Sequence, residues 1–94
     1  MGLDEFAKQR YDDGIKEGRD PQPWADENRN HILDATEEMA DGFNYVNWDI
    51  IRTDLGIGPR QSTKFRHHLV VARESIANAY AALERARDEE QGRD

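Results

Sequence analysis

The chain has 94 residues, with 13 Lys plus Arg against 20 Asp plus Glu for a formal net charge of -7, and a mean hydropathy of -1.02. That length holds one domain, residues 1–94, and the lack of any cysteine excludes disulfide scaffolds, thiolate zinc sites and cysteine nucleophiles. The longest apolar run, Leu69-Val70-Val71-Ala72, is far too short to span a bilayer, and the acidic opening Met1-Gly2-Leu3-Asp4-Glu5 does not read as a secretory leader, so a cytoplasmic setting with no membrane partner is expected.

Pro and Gly cluster at Asp20-Pro21-Gln22-Pro23 and at Leu55-Gly56-Ile57-Gly58-Pro59, and these clusters divide the chain into three segments, all with helical periodicity. The first, about 3–17, places Leu3, Phe6, Ala7, Tyr11 and Ile15 at spacings of three and four, one apolar stripe on an otherwise polar rod. Gly14 and Gly18 weaken its end, and so thin a stripe needs a larger surface to pack on.

The second helix is expected over about 23–55. Pro23 stands in its first turn, and Asp26 and Glu27 sit where the helix dipole favours negative charge. Ile32, Met39 and Val46 recur every seven residues, as do Thr36, Phe43 and Ile50 in the complementary phase, which is the pattern of a heptad seam. Gly56 suits the left-handed position after the helix end, with Ile57 folding back on Ile51.

The third helix, about 62–88, starts at the N-cap candidate Ser62 and repeats the pattern. Phe65, Ala72, Ala79 and Ala86 recur at seven, interleaved with Leu69, Ile76 and Leu83. A short turn makes the second and third helices antiparallel neighbours. Counting outward from that turn pairs Ile50 with Phe65, Phe43 with Ala72, Met39 with Ile76 and Ile32 with Leu83. The charged tail, 84–94, is expected to fray.

The expected architecture is therefore all-α: a long antiparallel hairpin with a short N-terminal helix. With Ile32 at 0° on the helical wheel, Tyr45 falls at about 220° and Trp48 at about 160°, opposite the seam. Exposed aromatics of this kind mark interfaces, so a homodimer that completes a helical bundle is expected.

Function is written mainly in the charge. Residues 1–60 hold 14 acids and 7 bases, whereas residues 61–94 hold 6 of each. Binding to free nucleic acid requires a broad basic footprint, and this balance argues against it. The acid-free stretch Arg60–Arg73, with Lys64, Arg66, His67 and His68, reads as internal neutralisation of the acidic helices. His67 and His68 are adjacent, so they point about 100° apart and cannot share a metal as an i, i+4 pair would.

On the second helix Asp34, Glu37, Glu38 and Asp41 converge on one strip with Tyr45 and Trp48. Carboxylates three or four residues apart can share a hard, oxygen-seeking cation such as Mg2+. The segment Glu37-Glu38-Met39-Ala40-Asp41-Gly42-Phe43-Asn44-Tyr45 resembles the second acidic motif of the MazG-like all-helical nucleoside triphosphate pyrophosphohydrolases. The resemblance implies Mg2+ held by Glu38 and Asp41, with an earlier acidic pair on a neighbouring helix, for which Glu17-Gly18-Arg19-Asp20 is the candidate. Cations near the site would then hold phosphates, with Lys64 and Arg66 available, and Tyr45 or Trp48 could stack on a base. Three expectations stand side by side. The leading one is a small acidic accessory protein that engages a basic protein surface. The others are a divergent Mg2+-dependent pyrophosphohydrolase acting on a nucleoside triphosphate, and an inhibitor that mimics nucleic acid.

Overall fold

A computed structural model of the chain describes residues 1–57 and 62–92, so Gly58, Pro59 and Arg60, which the sequence places in the turn and at the edge of the basic stretch, lie outside it. The described residues form helices α1 (Leu3–Lys16), α2 (His31–Asp54) and α3 (Thr63–Glu90), with one 3-10 turn at Pro23–Ala25 and no strand.

α2 begins eight residues later than the sequence suggests. After the 3-10 turn, Asp26 Oδ1 accepts the Asn28 N–H at 3.0 Å. Asn30 Oδ1 then accepts the Leu33 N–H at 2.9 Å and caps α2. Short polar side chains offer the backbone local partners that compete with helix propagation, and the run Asp26-Glu27-Asn28-Arg29-Asn30 has no apolar residue whose burial would favour a helix.

The far end of α2 closes in a Schellman motif. The Ile57 N–H donates to the Arg52 carbonyl at 3.0 Å and the Gly56 N–H to the Thr53 carbonyl at 3.1 Å, with Gly56 at φ 72°. α1 ends the same way: Arg19 N–H bonds the Gly14 carbonyl, Gly18 N–H bonds the Ile15 carbonyl, and Gly18 lies at φ 91°. Both glycines thus take the backbone conformation from which a Cβ is sterically excluded. α3 is capped by the Ser62 hydroxyl, which accepts the Phe65 N–H at 3.0 Å. It stays helical to Glu90, so residues 84–90 of the expected frayed tail are ordered helix. Their Ala, Glu and Arg are good helix formers, and Glu84 pairs with Arg87 one turn on.

α2 packs against α3, and α1 packs against neither. The hairpin seam holds Ile32, Met39 and Val46 from α2 and Phe65, Leu69, Ala72, Ile76, Ala79 and Leu83 from α3, all half-buried. Phe43 and Ala86, assigned to the seam by their heptad positions, are exposed at its edge and end. Among the described residues Ile50, at 3% exposure, is the one apolar side chain of the buried core. The buried seam polar group, Thr36, donates its hydroxyl to the Ile32 carbonyl at 2.8 Å.

The register differs from the one counted outward from the turn. Arg66 pairs with Asp54, Arg73 Nη1 donates to Asn47 Oδ1 at 2.8 Å, and the Ile76 Cδ1 methyl lies over Gly42. Each partner is displaced by about one helical turn along α3. Two heptad seams interlock almost equally well after a shift of half a heptad, which exchanges a layers for d layers. The side chains at the seam edge choose between the two.

α1 is held by the segment that follows it. The Tyr11 hydroxyl donates to the Pro21 carbonyl, and the Arg19 side chain folds back over Gly14, leaving Gly14 buried. Gly14, which on propensity alone weakens the helix, is what makes room for that arginine. The stripe itself stays open to solvent, with Leu3 at 82% exposure.

Candidate functional site

The acidic strip of α2 follows from its spacing: Asp34, Glu38, Asp41, Tyr45 and Trp48 recur at three or four residues, so a straight helix aligns them. Asp34 at the open end is neutralised locally, its Oδ2 taking the Arg29 Nε–H at 3.0 Å. Glu37, Glu38 and Asp41 are exposed and form no ion pair among the described residues. One turn further on, Tyr45 and Trp48 meet edge to face with ring centroids 5.6 Å apart. They stay 68% and 54% exposed. The strip is thus acidic toward the open end of the hairpin and aromatic at its middle.

The earlier acidic pair is not brought to this strip, because α1 and α2 do not pack together. Glu17 is the C-cap of α1 and lies 3.5 Å from the Arg19 guanidinium; Asp20 Oδ1 accepts the Gln22 N–H at 2.9 Å. Both carboxylates serve the connection between α1 and α2. Among the described residues no three His, Cys, Asp or Glu side chains converge on a point where a cation could sit. Mg2+ keeps several waters and takes one or two carboxylates; Glu17 and Asp20 do not join Asp34, Glu37, Glu38 and Asp41 in one donor set among the described residues.

The cations assigned to phosphate divide in the same way. Arg66 grips Asp54 with two hydrogen bonds, Nε to Oδ1 at 2.7 Å and Nη2 to Oδ2 at 3.1 Å. That bond, with the nearby charges of Arg66 and Arg73, holds the Asp54 carboxyl below its ordinary range and raises Arg66 in turn. The pair clamps the turn end of the hairpin. Lys64 lies exposed in the first turn of α3. The rings of His67 and His68 sit 6.0 Å apart and tilted at 54°.

A second feature was not legible in the sequence: an open apolar groove of about 370 Å³ along one side of the α2–α3 seam, lined by Met39, Phe43, Ile76, Ala77 and Tyr80 among others. Phe43 is 37% exposed there and Tyr80 42%. The heptad pattern buries Phe43 by assumption, and Tyr80 lies outside the interleaved seam positions. Only the actual register reveals that the two flank one hollow.

No family model matches the chain, and no curated protein or solved structure matches it either. No helix among the described residues is long and apolar enough to cross a membrane.

Proposed function

We propose that the chain is a small binding or accessory protein whose outer α2 face engages a basic surface on a partner protein. The observation that carries this reading is the juxtaposition of three exposed carboxylates, Glu37, Glu38 and Asp41, which have no ion-pair partner among the described residues, with the exposed edge-to-face pair Tyr45–Trp48. Arginine is the complementary side chain. Its guanidinium pairs with carboxylates in two-pronged fashion and stacks on aromatic faces, and Trp and Tyr are the residues that most often dominate binding energy at interfaces. The carboxylates attract and orient the partner, which raises the association rate, while the aromatics supply contact area.

The test is a fluorescence titration of the full chain with an arginine-rich peptide, in a Trp24→Phe background so that Trp48 reports alone. Expected are saturable binding that weakens steeply with added salt, its loss in the triple variant Glu37→Lys, Glu38→Lys, Asp41→Lys, and its loss in Trp48→Ala as followed by the anisotropy of a dye-labelled peptide. Absence of binding at low salt, or binding that both variants retain, refutes the reading.

A further inference from the structure

The α2–α3 hairpin has a second unpartnered face. On α2 the groove runs from Phe43 around to Ala40 and Asn44; Asn44 stands one turn before Trp48, so the groove borders the acidic and aromatic strip along one edge. We propose that this groove is where a second copy of the chain docks, the two hairpins running antiparallel across a twofold axis through its middle.

Three observations carry this. The first is area. The chain exposes 7690 Å², against about 5,600 Å² for a folded monomer of 10.9 kDa. The excess of about 2,100 Å² is shared between α1, which packs on neither α2 nor α3, and the open faces of the hairpin. The second is position. The groove spans Met39 to Asn44 on α2 and Ile76 to Tyr80 on α3, near the midpoint of each helix. A twofold axis there lays one hairpin along the other from end to end, whereas a groove at one end would leave most of both apolar faces uncovered.

The third is charge. On the turn side of the groove, the described residues of 42–75 carry four bases against three acids. On the open side, the acidic strip of α2 set aside, residues 76–90 carry four acids against Arg85 and Arg87. An antiparallel partner sets each positive end against a negative one. The match extends to single residues: Arg73, Ala77, Tyr80 and Glu84 follow one another at four, three and four residues on one strip of α3. They are symmetric about a point between Ala77 and Tyr80. A twofold axis at that point sets Arg73 of each copy against Glu84 of the other, and the small Ala77 against the large Tyr80. Within its own chain Arg73 bonds Asn47 through Nη1 alone and Glu84 lies 3.9 Å from Arg87, and both side chains stay partly exposed.

The groove borders the face of Trp48 through Asn44, so the two readings are separated by variants on α3, whose Arg73, Tyr80 and Glu84 take no part in the basic-partner reading. Sedimentation equilibrium of the full chain over micromolar concentrations tests the dimer. The expected mass is twice 10.9 kDa. Glu84→Arg sets like charges together at two symmetric places and weakens association by about tenfold or more, and adding Arg73→Glu in the same chain recovers most of that loss. Tyr80→Glu gives a monomer that circular dichroism shows to be helical. A wild-type monomer overturns the proposal, as does growth beyond two copies. A dimer indifferent to both the charge reversal and Tyr80→Glu overturns it too. If Tyr80→Glu fails to fold, the charge exchange decides, because recovery by the double reversal requires the two side chains to face each other between copies.

Discussion

Gly42 stands in the middle of α2, where glycine costs about 1 kcal/mol relative to alanine because of the backbone freedom it loses. A Cβ built there meets one neighbour outside its own helix backbone, Ile76 Cδ1 at 3.7 Å, an ordinary van der Waals contact. Gly42→Ala therefore regains the helix propensity with no compression and adds a methyl contact across the seam. We expect stabilisation of about 1 kcal/mol, which for a domain of this size raises Tm by about 4–8 °C. Urea and thermal denaturation at one fixed protein concentration measure it, since association itself raises apparent stability. Gly42→Leu is the contrasting arm: a side chain longer than alanine must displace Ile76 Cδ1 or turn out of the seam, and we expect it to gain less than Gly42→Ala. A loss of stability in Gly42→Ala would mean that the helices approach more closely at this point, and would refute the register in which Ile76 lies over Gly42.

Ile50→Ala removes the most deeply covered apolar side chain among the described residues and should cost about 2–5 kcal/mol by chemical denaturation, a large fraction of the stability of so thin a hairpin. Gly56→Ala forces a Cβ into a left-handed position at φ 72° and should cost about 1–2 kcal/mol. Asp54 has a folded-state pKa below its ordinary value because Arg66 hydrogen-bonds its charged form. Its contribution to stability is thus present above the unfolded-state pKa and is lost as pH falls through the folded one. Melting temperature followed from pH 6 downward should fall less steeply through the carboxylate range in Asp54→Asn than in wild type, and equal slopes would deny the clamp a role.

The local grammar of the chain was readable residue by residue. Periodicity located three helices, Ser62 marked the start of α3, and Gly56 marked a left-handed helix end, because caps and positive-φ positions depend on a few neighbouring atoms; Gly18, read only as weakening α1, proved to be a second left-handed end. The same local logic, applied further, would have found Asn30: a short amide three residues before Leu33 competes successfully with helix growth from Pro23. The candidate site was legible only as a strip. Spacing along one helix aligns Glu38, Asp41, Tyr45 and Trp48 whatever the rest of the chain does, whereas bringing Glu17 and Asp20 to them depends on where α1 packs.

What the sequence by itself determined is the all-helical class, the hairpin and the acidic face, each a consequence of periodicity and composition. What only the tertiary structure decided is how those pieces meet. A heptad seam is nearly degenerate under a half-heptad slide, and long side chains at its edge broke that degeneracy, with Arg66 reaching Asp54 and Arg73 reaching Asn47. The slide placed Phe43 and Tyr80 around a common groove instead of burying Phe43. α1 was decided the same way, because Arg19 over Gly14 and Tyr11 on Pro21 hold it to its own connection and its apolar stripe is too narrow to outweigh them.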